Sequence, residues 1–264
     1  MNANTRPLAL VTGASSGIGA DLARELARDG YDLVLAARRI APMEALAEEL
    51  KGAGASVTVI AADLSKADAA AALAGEIEAR GLVVDCLVNN AGLGDNALFH
   101  QEDPMRIGEM LRVNVVALTE LTRLLLPGMV ARRRGRVMLL ASTAAFQPGP
   151  FMAVYCATKA YVLSLGEAIA YELRGTGVTL SVLCPGATET EFSRVANTGD
   201  MALFKSPMVQ RMTAAEVARQ GYAALRAGRA LLITGWFNRL GAFLVRFAPR
   251  ASATALTAAL LKRG

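Results

Sequence analysis

A chain of 264 residues with 53% hydrophobic side chains and only 9 prolines has apolar surface enough for a well-buried core, which excludes a disordered or low-complexity polypeptide. Its net charge of +5 is modest and comes mostly from arginine; it suits an anionic ligand as well as nucleic acid, and no nucleic-acid partner is expected. Three scattered cysteines (Cys86, Cys156, Cys184) and a single histidine, His100, argue against a metal site, a disulfide framework and a Ser-His-Asp triad.

In chain order, the first apolar run is LALVT (8–12), which passes into TGASSGIGADLAREL. Gly13, Gly17 and Gly19 close a strand-to-helix turn of spacing G-x-x-x-G-x-G there. Such a turn lets backbone amides approach a diphosphate at a helix N-terminus; a purely structural glycine turn is the alternative. The second run, DLVLAA (32–37), ends where a dinucleotide site reads the adenosine ribose. Ala37 stands where a carboxylate would hold a 2′-hydroxyl, and Arg38 and Arg39 follow it. Guanidinium forks suit a 2′-phosphate, which favours NADP(H) over NAD(H), with an ordinary charged loop as the alternative. The arginine pair is expected to act without an opposing carboxylate.

The remaining apolar runs are VTVIAA (57–62), CLVNN (86–90), RVMLLAS (136–142), TLSVLCP (179–185) and ALLIT (230–234). Amphipathic segments lie near 18–29, 43–53, 66–80, 105–131, 152–175 and 213–227. The runs lack polar alternation, as strands covered on both faces should. Strand–helix alternation predicts one α/β domain over 1–264, a doubly wound parallel sheet of about seven strands with helices on both faces. The basic run ARRRGR (131–136) reads as a solvated helix end.

Residues 187–212, after Pro185-Gly186, break the rhythm and belong at the ligand crevice as a substrate loop. Phe146, Phe151, Phe192, Met201, Leu203, Phe204 and Met208 suggest an apolar pocket around it. In the extension 235–264, Trp236, Leu240, Phe243, Leu244 and Phe247 form one stripe beside Arg239 and Arg246. This stripe is expected to pack over the pocket or against a partner subunit in preference to a membrane surface. No signal-peptide pattern and no run of 18 uncharged apolar residues is present, so a cytoplasmic location is expected.

TGASSGIG, NNAG at 89–92, Asn114, Ser142, YCATK at 155–159 and PGATET at 185–190 occur in the order and spacing of the classical short-chain dehydrogenases/reductases. The chain resembles that family over roughly residues 7–235. The resemblance implies a Rossmann-like fold and an NADP(H)-dependent oxidoreductase that moves a hydride between nicotinamide and a small-molecule carbonyl or secondary alcohol. It implies Tyr155 as acid/base, Ser142 on the substrate oxygen, Lys159 on the nicotinamide ribose and Asn114 holding a water in the proton relay. Cofactor contacts carried over are Gly13, Ser15, Gly17, Ile18, Gly19, Arg38, Arg39, Asp63, Asn90, Gly92, Pro185, Gly186, Thr188 and Thr190, with Asn89 assigned to the sheet. A homodimer or homotetramer through the helices near 105–131 and 152–175 is implied as well.

The chemistry of YCATK supports these roles. Residues four apart share one helix face, and a cation about 4 Å from a phenol lowers its pKa by roughly three units at an effective ε of about 20. Lys159 is therefore expected to poise Tyr155 near neutrality. The rival reading is a non-catalytic dinucleotide-sensing regulator or scaffold, which would tolerate loss of Tyr155 or Lys159. All four of Asn114, Ser142, Tyr155 and Lys159 are present, which favours the enzyme.

Overall fold

Leucine-, valine- and alanine-rich runs become strands here because each is short and covered on both faces. A computed structural model describes residues 6–192, Ala196, Met201 and 211–262. Strands β1 (Leu8–Thr12), β2 (Asp32–Ala37), β3 (Val57–Ala61), β4 (Val84–Asn89), β5 (Gly135–Leu140) and β6 (Val178–Cys184) follow the sequence expectation closely. A two-residue ladder, β7 (Thr188–Glu189) with β8 (Met212–Thr213), joins the two ends of the segment 187–212. With β9 (Leu231–Ile233), the main sheet runs β3-β2-β1-β4-β5-β6-β9, parallel throughout. Strand order reverses between β1 and β4, and the crevice that holds ligands in such sheets lies beyond their carboxyl ends.

Successive strand residues point to opposite faces, and the two cores divide accordingly. Val11, Leu33, Leu35, Val88, Met138 and Leu183 meet helices α1 (Gly17–Arg28) and α2 (Ile40–Gly52) on one face. Leu10, Val34, Leu87, Val137, Leu139 and Val182 meet α3 (Ala69–Ala79), α4 (Pro104–Leu111), α5 (Leu118–Ala131) and α6 (Ala153–Glu172) on the other. Helix α7 (Ala214–Arg226) joins the first face through Val217, Ala218 and Leu225, and a Thr213–Glu216 capping box starts it.

The segment expected as one helix over 105–131 is helical throughout but not uniform. Asp103 caps it by accepting from the Met105 amide, Pro104 occupies the first turn, and Arg112–Ala117 form a π-helical stretch between α4 and α5. The joined helix Pro104–Ala131 is long and apolar enough to cross a membrane by length and composition. Its inner face, including Leu118, Leu121, Thr122 and Met129, is buried against the rest of the protein. The chain then closes with α8 (Trp236–Leu244) and α9 (Arg250–Leu261).

Candidate active site

The glycine turn is built by backbone that needs glycine. Gly13 and Gly17 adopt φ of +65° and +58°, the left-handed region. A Cβ on Gly13 would come within 2.8 Å of Asn90 Nδ2. That amide holds the turn from beneath, donating to the carbonyls of Thr12 (2.9 Å) and Gly13 (3.1 Å). A Cβ on Gly19 would lie 2.6 Å from the Gly13 carbonyl oxygen, so Gly19 serves the packing of helix on turn and does not itself face the cleft. Asn89 donates to Thr122 Oγ1 (2.9 Å) and the Leu118 carbonyl (3.3 Å), and so ties β4 of the sheet to α5.

Arg38 and Arg39 are both exposed at the end of β2 and line the same cleft. Arg39 is engaged: its guanidinium bonds Glu191 at 2.5 and 3.4 Å, and also reaches the hydroxyls of Ser16 (3.1 Å) and Ser15 (3.3 Å). The expectation of no opposing carboxylate is thereby corrected, because Glu191 crosses from the loop after β7. Asp63 accepts from both the amide and the hydroxyl of Ser65, at 3.1 and 2.7 Å, and these bonds hold its carboxyl below the usual range. It closes a turn and lines the cleft at once.

At the other end of the cleft, Ser142 leaves β5 and caps a short 3₁₀ turn, accepting from the Ala144 amide at 3.1 Å. Tyr155, the third residue of α6, lines the same end of the cleft as Ser142. Burial pushes its hydroxyl well above the ordinary phenol value, and the nearby Ser142 hydroxyl opposes part of that rise. Lys159 is buried; its Nζ donates to the Leu140 carbonyl at 2.7 Å and sits 5.7 Å from the centre of the Tyr155 ring. Burial lowers its pKa to about 8. The expected depression of the Tyr155 pKa by Lys159 is therefore absent. Loss of hydration acts on both groups and outweighs their mutual field, and the ammonium is turned toward a carbonyl.

Asn114 is 1% exposed, in the π-helical stretch. It clamps Leu93 from both sides, accepting from its amide and donating to its carbonyl, each at 2.8 Å, and donates to Thr158 at 3.0 Å. The side chain is thus engaged with protein and positions the loop after β4. Beside it, a Cβ on Gly92 would stand 3.4 Å from Lys159 Nζ and 3.5 Å from Asn114 Oδ1, so glycine keeps that corner open.

Arg38, Arg39, Asp63, Ser142, Tyr155 and Lys159 line one cleft of about 610 Å³, and Asn114 stands outside its lining. Ser15, Ile18, Asn90, Gly92, Pro185, Gly186, Thr188 and Thr190 line it too. Of the apolar candidates, Phe192 and Met201 face it, the Phe192 ring lying 5.5 Å from that of Tyr155. Phe146 and Phe151 pack behind it, and Leu203, Phe204 and Met208 lie outside the described residues. Cys156 lines it as an inert thiol, pushed up to about 12 by burial.

The family model of short chain dehydrogenases matches residues 7–200. The chain belongs to the short-chain dehydrogenase family. As a member it is an oxidoreductase. Nodulation protein G of Rhizobium sp. (strain N33) is 35% identical over 229 residues, 86% of this chain and 92% of that protein. Ketoacyl reductase HetN of Nostoc sp. is 36% identical over 70% of this chain and 65% of its own length. The first curated relative, a short chain dehydrogenase of Pseudocercospora fijiensis, is matched over 66% of its length, so the chain spans about two thirds of some relatives and nearly all of others. Among solved structures, a short-chain dehydrogenase from Sphingobium yanoikuyae in complex with NADPH superposes with a TM-score of 0.81. It is 31% identical, over 91% of this chain and 93% of that one.

The dehydrogenase cleft fits a dinucleotide on its own chemistry. The left-handed glycines remove side chains where a diphosphate would approach, and cationic groups stand at both ends, Arg38 and Arg39 at one and Lys159 at the other. Sequence reasoning missed Glu191, Ser16 and the wall made by Met152, Thr257, Leu260 and Leu261. Glu191 follows Thr190 in a recognised motif, but only the fold brings it to Arg39. Helix α9 enters the wall because Asn96 Nδ2 donates to the Leu261 carbonyl at 3.1 Å. The expected packing of the stripe 236–247 over the pocket is corrected accordingly. Helix α9 takes that place, and Trp236, Leu240, Phe243, Leu244 and Phe247 stay exposed.

Proposed function

We propose that the protein is an NADP(H)-dependent reductase of an apolar carbonyl compound, with Tyr155 as its proton donor. The observation that carries this reading is that Ser142, Tyr155 and buried Lys159 line one end of the cleft whose other end holds Arg38 and Arg39. A bound nicotinamide dinucleotide would supply the hydride. Ser142 and Tyr155 would converge on the substrate oxygen, Ser142 donating a hydrogen bond that orients it and Tyr155 holding the proton that it takes up. The raised Tyr155 pKa keeps the phenol protonated at neutral pH, the form that reduction requires. An alkoxide is as strong a base as hydroxide, so it removes the proton even from a weakened phenol.

Lys159, fixed by Leu140, would hold the ribose; Arg38 and Arg39 would meet a 2′-phosphate; Asp63 and Asn90 would border the adenosine; Thr188 and Thr190 would face the nicotinamide amide. Phe192 and Met201 with helix α9 make the substrate end apolar and exclude water from it. NADP(H)-bound structures among the relatives from Sphingobium yanoikuyae and Agrobacterium tumefaciens support the cofactor choice. The bulky-bulky ketone specific alcohol dehydrogenase of Comamonas testosteroni, 27% identical, supports a roomy carbonyl site.

The test is NADPH and NADH oxidation against a panel of apolar ketones, with Tyr155→Phe as the control. Turnover with NADPH should fall by about 10²-fold or more in Tyr155→Phe, the scale of a lost acid/base, while NADPH quenching is unchanged. Undiminished turnover in that variant removes Tyr155 from the chemistry.

A further inference from the structure

Six large apolar side chains of α8 and the turn after it, Trp236, Phe237, Leu240, Phe243, Leu244 and Phe247, are 43–73% exposed. On its inner side Ala242 is buried, and Asn238 packs on Gly186 and donates to the Thr234 carbonyl at 2.8 Å. The rings pair among themselves, Trp236 with Phe237 at 4.0 Å and Phe243 with Phe247 at 5.1 Å. At 150–250 Å² for each ring, the four half-exposed aromatics alone present on the order of 500 Å². That already matches the largest patch of an ordinary soluble monomer.

The charge around this patch is segregated. After Glu216 the chain carries eight Arg and Lys residues and no Asp or Glu. Residues 1–216 therefore hold twenty basic and 23 acidic residues, a net of −3, against +8 for the last 48. Arg239, Arg246 and Arg250 are exposed beside the patch, and no described carboxylate pairs with them.

We propose that this face docks on the surface of an anionic lipid bilayer. Aromatic and leucine side chains flanked by arginines are the composition that settles a helix in the plane of the headgroups. A nine-residue helix rises only about 14 Å, too short to span, so it lies on the surface. A second copy fits less well, because a symmetric contact through this face would set the cationic stretch against itself. Helix α9 follows directly and walls the cleft, so docking would place that wall near the acyl boundary. The docking itself does not depend on the carbonyl reading.

Co-sedimentation of the full chain with phosphatidylcholine vesicles, with and without phosphatidylglycerol, at low and high salt, tests the proposal. Binding to the anionic vesicles should exceed binding to neutral ones by about tenfold or more and weaken with salt. Phe243→Glu/Phe247→Glu should abolish it, and Arg239→Glu/Arg246→Glu should remove the preference for anionic lipid. Circular dichroism and NADPH quenching identify any variant that merely misfolds. No binding to anionic vesicles at low salt overturns the proposal, as does binding that both pairs of substitutions leave intact. A dimer that Phe243→Glu/Phe247→Glu dissociates in sedimentation velocity, without vesicle binding, assigns the face to a second copy and overturns it too.

Discussion

Burial holds the proton on Tyr155 and loosens it on Lys159, because charge is disfavoured at both. If the ammonium holds the cofactor, affinity is full below a Lys159 pKa of about 8 and declines as pH rises through it. Isothermal titration with NADPH from neutral to alkaline pH should show that decline in the native protein and a weaker, flat profile in Lys159→Met. A native profile that stays level would detach Lys159 from the cofactor. Arg39 offers a second handle. A 2′-phosphate must compete with Glu191 for its guanidinium, so Glu191→Gln should tighten NADPH by up to about fivefold, the worth of an exposed ion pair, and leave NADH unmoved. Fluorescence titration of both cofactors checks it; an unaltered ratio between them means that Arg39 does not meet the phosphate. Tyr155, Lys159 and Ser142 were legible from spacing. The partners of Lys159, Asn114 and Arg39 were not, since Leu140, Leu93 and Glu191 supply a carbonyl, an amide and carbonyl, and a charge from distant positions that no local pattern marks.

A helix that changes its winding changes which way its side chains point. The π-helical stretch Arg112–Ala117 lets Asn114 face Leu93, across the cleft side of β4, where it satisfies two backbone groups at once. Asn114→Ala leaves that amide and carbonyl buried and unpaired. At about 1–3 kcal/mol for each group, urea denaturation should report a loss of roughly 2–6 kcal/mol. A loss under about 1 kcal/mol would mean that Leu93 finds other partners. The strands and most helices were legible because apolar runs and 3.6-residue periodicity repeat many times over each element. The π-helical stretch was not: RVNVVA has the same apolar content as its helical neighbours, and only the hydrogen bonds of the surrounding loop distinguish it.

The assembled molecule leaves a further apolar surface on α5 and α6, where Leu124 and Tyr161 are exposed and Thr119 Oγ1 lies 3.0 Å from the Tyr161 hydroxyl. Pairing of two copies through this surface is our reading of it. Leu124→Arg would place two like charges at such an interface, so sedimentation velocity should show a smaller species than the native protein; the same species in both would discard the pairing. The doubly wound parallel sheet followed from the strand–helix alternation, whereas the placement of the last two helices did not, because amphipathicity says that a face will be covered and not by what. Their position also sets a timetable. The glycine turn and the arginine pair are synthesised first, but Thr257, Leu260 and Leu261 leave the ribosome after every other residue that lines the cleft. At about 5–20 residues per second they follow Phe192 by roughly 3–14 seconds. During that interval the glycine turn and the arginine pair are already made, while the wall of the cleft is not. The residues that would hold a cofactor are thus born before those that would choose what it reacts with.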